Sequence, residues 1–135
     1  MTTEIRRMEK SEAARLNPLQ LAYMGDTVWE MIVRSRLIFQ KLNVHHMHTQ
    51  CVASVNAAAQ AKAMEKIRPE MTEEELAIFL RGRNAHARHP SPRHQDPADY
   101  AEATGFEALM GYLFLTGDED RLQEIVRIVF EEGIA

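Results

Sequence analysis

The stretch NPLQLAYMGDTVWEMIV, residues 17–33, sets a glycine and an aspartate side by side in the middle of an otherwise apolar helical pattern. Asn17 reads as a helix cap and Pro18 as a first-turn residue, where proline is tolerated. The apolar repeat predicts one long helix from Leu19 to about Leu42. Inside it, Gly25 costs about 1 kcal/mol relative to alanine. Asp26, among Tyr23, Met24, Val28 and Trp29, must be exposed, paired or bound to a metal, because an unpaired buried charge is prohibitive. The two together call for an explanation beyond helix formation.

Outward from this segment the periodicity is helical almost throughout, and no segment alternates convincingly as a strand. A second helix is expected from about Met47 to Ile67, stopped by Pro69, with alanines that permit close packing. Thr72 and Glu75 form a capping-box pattern for a third, which turns Leu76, Phe79 and Leu80 inward and ends near Gly82. The segment RGRNAHARHPSPRHQDP, residues 81–97, reads as a long basic loop. Loops of that length are usually functional or disordered. Asp96 and Pro97 then start a helix running to about Leu115, and Asp118 to Glu132 forms the last. The expected fold is an all-α bundle of five principal helices, six if residues 4–14 are helical, in one domain over residues 1–135.

A chain of 135 residues buries roughly two-thirds of its unfolded surface and needs no disulfide or structural metal to fold. Its single cysteine, Cys51, lies in the apolar run CVASV and reads as core. The N-terminal residues lack the apolar block of a signal peptide, and no apolar run is long enough to span a membrane. A soluble, cytoplasmic protein without a membrane partner is expected. The net charge of -4 conceals segregation: Arg81, Arg83, Arg88 and Arg93 lie in a stretch free of acids, whereas residues 96–135 carry two arginines against ten acids. A basic island in an acidic chain points to a polyanionic partner.

Two glycine-flanked acidic segments carry the candidate chemistry: YMGDTVWE, with Asp26 and Glu30 one turn apart, and TGFEALMGYLF, with Glu107 among apolar residues. On the residues alone two readings stand. The carboxylates are boundary residues paired with arginines such as Arg34 or Arg81, or they face each other across a helix pair and hold a divalent cation. Mg²⁺ typically uses one or two carboxylates plus waters and substrate phosphates.

The segment NPLQLAYMGDTVWEMIV resembles the signature of ribonuclease III, usually written around NERLEFLGD and followed by an apolar helix. FEALMGYLFL is similar to that family's second segment, of the type VEALIGAVFL. With LRGRNA and the basic stretch between them, the order is closer still to the short bacterial branch, Mini-ribonuclease III, which has no double-stranded-RNA-binding domain. The resemblance covers roughly residues 16–132.

It implies a homodimeric helical endonuclease that uses Mg²⁺, with Mn²⁺ able to substitute, to cleave double-stranded RNA to 5′-phosphate and 3′-hydroxyl ends. In the short branch it further implies maturation of the large-subunit (23S) ribosomal RNA precursor, with a ribosomal protein as a further candidate partner. By the resemblance, Asp26 and Glu107 are catalytic metal ligands. Tyr23 inserts into the partner subunit, and Gly25 admits the partner's helix. Larger members carry further glutamates at positions matching Leu19 and Ala22, and an aspartate where Thr104 stands. Glu30 and Thr104 become candidates to support the sparser cluster. RNA phosphates then fall to Arg81, Arg83, Asn84, His86, Arg88 and Arg93 of the catalytic domain itself. The missing acids equally suit a catalytically weak or inactive RNA-binding module of the same fold.

Three other features carry less. His45, His46 and His48 lack a further ligand at zinc spacing and read as a surface cluster at a helix start. The string EAL at 107–109 belongs elsewhere to large barrels, and this chain is too short and too helical. Met24, Met31 and Met110 are expected in the core.

Overall fold

A computed structural model describes residues 4–85 and 96–131 as seven α-helices and one 3-10 turn, with no strand among the described residues. The helices are α1 (Lys10–Arg15), α2 (Pro18–Leu37), α3 (Val44–Val55), α4 (Ala57–Ile67), α5 (Glu73–Ala85), α6 (Pro97–Leu115) and α7 (Glu119–Val129); the turn spans Arg68–Glu70. The all-α class agrees with the sequence, but the count exceeds the five or six expected. None of the helices is long and apolar enough to cross a membrane.

Helix α6 is the axis of the bundle. Every residue from Ala108 to Phe114 is buried, as are Ala103 to Phe106, so the helix is covered on nearly all sides by α2, α4 and α5. Asp96 starts it by accepting hydrogen bonds from the amides of Ala98 (2.7 Å) and Asp99 (3.3 Å). It ends at Gly117, whose φ of 74° lets Asp118 N–H reach the Leu113 carbonyl (2.9 Å).

Helix α2 starts as expected, with Asn17 accepting from the Leu19 amide (2.8 Å) and Pro18 in the first turn. It stops at Leu37, earlier than its apolar pattern suggests. Trp29 ties it inward: its ring meets Phe106 edge-on at 4.9 Å and stacks on Phe130 at 5.8 Å, and its indole N–H donates to the Ser54 carbonyl. Cys51 and Met110 are buried and Met24 is half-buried, but Met31 is 55% exposed and Leu76 also faces outward, against expectation.

The single helix expected from Met47 to Ile67 is two. Asn56 adopts an extended conformation and its side chain accepts from the Ala59 amide (2.8 Å), so it closes α3 and caps α4. The capping box of α5 forms in both directions, Glu75 N–H to Thr72 and Thr72 N–H to Glu75. Glu75 is clamped in turn by Arg121 of α7, at 2.7 and 2.9 Å, and the same guanidinium reaches the Glu70 carbonyl (2.8 Å). Burial opposes ionisation of Glu75, but Arg121 and Thr72 outweigh it and hold the carboxyl below its usual range.

Helix α5 does not end at Gly82. It continues to Ala85, so Arg81, Arg83 and Asn84 are helical rather than part of a loop beginning at residue 81. Gly82 is small because α6 crosses there: a Cβ would lie 2.8 Å from that of Ala108 and 3.0 Å from the Gly105 backbone.

Candidate active site

Helices α2 and α6 cross in backbone contact. A Cβ on Gly25 would overlap the carbonyl oxygen of Glu107, and one on Gly111 would overlap the carbonyl oxygen of Leu21. The reciprocal glycines therefore remove the side chains that would hold the two helices apart. Within this chain, the approach that Gly25 permits is to α6. Its consequence is local: the residue after Gly25 is Asp26, and the α6 residue pressed against Gly25 is Glu107.

The two carboxyl groups lie within hydrogen-bonding reach of each other. Burial, then the hydrogen bond to Asp26 and its negative charge, push the Glu107 carboxyl up to about 8, with Gln60 acting in the opposite direction. Asp26 itself is exposed, so the pair joins a largely buried carboxyl to one at the surface. Two adjacent carboxyls of which one is desolvated favour a shared proton or a cation between them. That donor set fits a hard divalent ion, which takes one or two carboxylates and completes its shell with water and phosphate. No group of three or more His, Cys, Asp or Glu suited to a metal occurs among the described residues, so most of the shell must come from elsewhere.

The arginines offered as partners for this pair are engaged elsewhere. Arg34 faces Glu30 one turn back (3.4 Å), which occupies Glu30 at the surface. Arg81 donates to the carbonyls of Ala14 and Leu16 (2.9 Å to the latter), tying α5 to the segment before α2. This gives Arg81 a structural task. Arg83 pairs with Glu102 at 3.5 Å, both partly exposed, and Asn84 is exposed beyond it. His86, Arg88 and Arg93 lie outside the described residues. Thr104 is buried on α6, its hydroxyl donating to the Tyr100 carbonyl (2.9 Å). Tyr23 is 84% exposed. His45, His46 and His48 are exposed around the first turn of α3.

Sequence reasoning missed Gln60. Its side chain is 2% exposed and its amide Nε2 lies 3.5 Å from Glu107 Oε2 as donor. A lone amide in the alanine-rich run AAAQAKA was the available signal.

A family model of the ribonuclease III domain matches residues 19–118, spanning both Asp26 and Glu107. The chain belongs to the ribonuclease III family. Relatives named Mini-ribonuclease 3 extend the match over nearly all of it. That of Symbiobacterium thermophilum is 42% identical over 89% of this chain and 92% of its own length. That of Gloeobacter violaceus is 44% identical over 92% of this chain and 90% of its own. A crystal structure of a Fusobacterium nucleatum protein superposes with a TM-score of 0.79 at 30% identity, covering 87% of this chain and 93% of that one. Within the ribonuclease III family the chain therefore groups with the Mini-ribonuclease 3 proteins, and it is an endoribonuclease.

Proposed function

We propose that this endoribonuclease cleaves double-stranded RNA as a homodimer, with Mg²⁺ or Mn²⁺ held by Asp26 and Glu107. The observation that carries the reading is the pairing of these carboxyls at the glycine crossing, with neither in an ion pair to a basic side chain among the described residues. When bound, the cation supplies charge neutralisation at the scissile phosphate and a more acidic attacking water.

The chain's own residues supply position and charge. Glu107 is fixed by its place against Gly25, while Asp26 opens to the surface where a phosphate can arrive. The Thr104 hydroxyl spends its proton on Tyr100, leaving its oxygen free to accept from a water one turn from Glu107. Glu30, one turn from Asp26, supports the same cluster through its negative charge, discounted by its pairing with Arg34. Arg83 and Asn84 stand at the exposed end of α5, just before His86, Arg88 and Arg93. Together they form a phosphate-binding stretch for A-form RNA, which is recognised largely through shape, phosphates and 2′-hydroxyls. Tyr23, exposed three residues before Asp26, provides an aromatic surface for a second copy of the chain. The reading extends to products with 5′-phosphate and 3′-hydroxyl ends, action on the 23S ribosomal RNA precursor, a ribosomal-protein partner and a cytoplasmic site, which the grouping with Mini-ribonuclease 3 proteins supports.

Incubation of a structured double-stranded RNA with Mg²⁺ or with EDTA tests the reading. Staggered cuts with 5′-phosphates, in Mg²⁺ alone, are expected. Binding without cutting would favour the inactive RNA-binding module, which the apolar Leu19 and Ala22 and the two-carboxylate site also suit.

A further inference from the structure

Gln60 is one of three buried polar residues in the described chain, with Glu75 and Thr104. Glu75 is clamped by Arg121, and Thr104 bonds to its own helix. Gln60 bonds across to the carboxylate of Glu107. Its placement depends on the break between α3 and α4, because Asn56 caps α4 and leaves Gln60 in the first turn. Alanines at 57, 58, 59, 61 and 63 surround it, and whereas Lys62, Glu65 and Lys66 of the same helix are exposed, Gln60 is buried. Burying an amide is unfavourable unless its bonds are made.

We infer that Gln60 is the positioning residue of the metal site. It holds one Glu107 oxygen so that the carboxylate meets the cation together with Asp26. The inference rests on the proposed metal reading. Its physical content is the neutrality of the donor. A lysine or arginine here would also fix Glu107, but its charge would cancel that of the carboxylate and oppose a divalent ion. An amide orients the carboxylate and leaves both negative charges of the pair intact. Outer partners of metal ligands act in this way generally, and their loss costs about 10–100-fold in metal affinity.

The test is Mn²⁺ binding to the full chain without RNA, followed by the electron paramagnetic resonance signal of free Mn²⁺. Gln60→Leu keeps the volume and removes the donor. An affinity about tenfold weaker, with thermal stability unchanged or raised, is the expected result. A merely structural glutamine would move the unfolding temperature and leave the affinity of the folded protein alone. If the leucine variant fails to fold, Gln60→Ala is read in the same way. Unaltered Mn²⁺ affinity in either folded variant overturns the role of Gln60 alone. Absence of Asp26-dependent Mn²⁺ binding in the unsubstituted chain overturns both this inference and the metal reading.

Discussion

Replacing Gly25 by alanine separates two physical effects of opposite sign. On an open helix surface the change would stabilise the protein by about 1 kcal/mol, the difference in helix propensity. Here the added Cβ would overlap the Glu107 carbonyl oxygen and lie 2.8 Å from the Gly111 amide nitrogen. Both are backbone atoms, so no side-chain rotation relieves the clash. Reaching an ordinary contact of about 3.5 Å requires the helices to part by on the order of 1–2 Å. Overpacking of this kind costs about 3 kcal/mol at the upper end of its usual range. After the propensity gain, about 2 kcal/mol of destabilisation remains, or roughly 6–8 °C in Tm for a domain of this size. The same displacement carries Glu107 away from Asp26, and a misplacement of about 1 Å can reduce turnover by about 10²-fold. Circular dichroism melts of the two proteins, beside cleavage of double-stranded RNA, measure both effects. A Gly25→Ala protein as stable as the parent, or more so, would refute the intrachain crossing and return the glycine to a partner interface.

Other perturbations give equally definite outcomes. A carboxyl raised from 4.5 to about 8 on folding contributes stability that is full below pH 4.5 and is lost as pH rises through 8. The metal-free protein should therefore weaken over that window, while Mg²⁺ affinity rises as the competing proton leaves. Glu107→Gln should flatten the pH dependence of Tm and abolish cleavage; a retained pH slope would assign the proton elsewhere. Arg121→Ala should destabilise the fold by about 3 kcal/mol, since it strands the buried Glu75 carboxylate, and denaturant titration reads this directly. Arg88 and Arg93 together replaced by alanine should lower the salt slope of RNA binding by up to about 2; an unchanged slope would remove them from the phosphate contacts. Tyr23→Ala should shift the protein toward monomer in light scattering, and an intact dimer would end its interface role.

Most of the helices were legible because their signals are local. Asn17 with Pro18, Thr72 with Glu75, and Asp96 with Pro97 mark the starts of α2, α5 and α6 through bonds made within one turn. The break at Asn56 was hidden because the alanines after it continue a helical pattern, and only the extended backbone reveals the cap. Gly82 misled for a tertiary reason: it reads as a helix end, but it is the contact surface for α6. Gly25 shows in sequence that something must come close, but the α6 backbone that does so within the chain becomes visible only in the fold. Asp26 and Glu107 stand out as candidates through their apolar surroundings and the family resemblance. The glycine crossing that joins them, and Gln60 behind Glu107, depend on packing between segments about 50 to 80 residues apart and left only faint local marks.

The site at Asp26 and Glu107 is tested most directly by anomalous scattering from a crystal of the protein equilibrated with Mn²⁺. A single strong peak within about 2.0–2.2 Å of oxygens of both carboxylates, absent from the Asp26→Asn protein, is the expected result. A peak away from this pair, or one that persists in the Asp26→Asn protein, would contradict it.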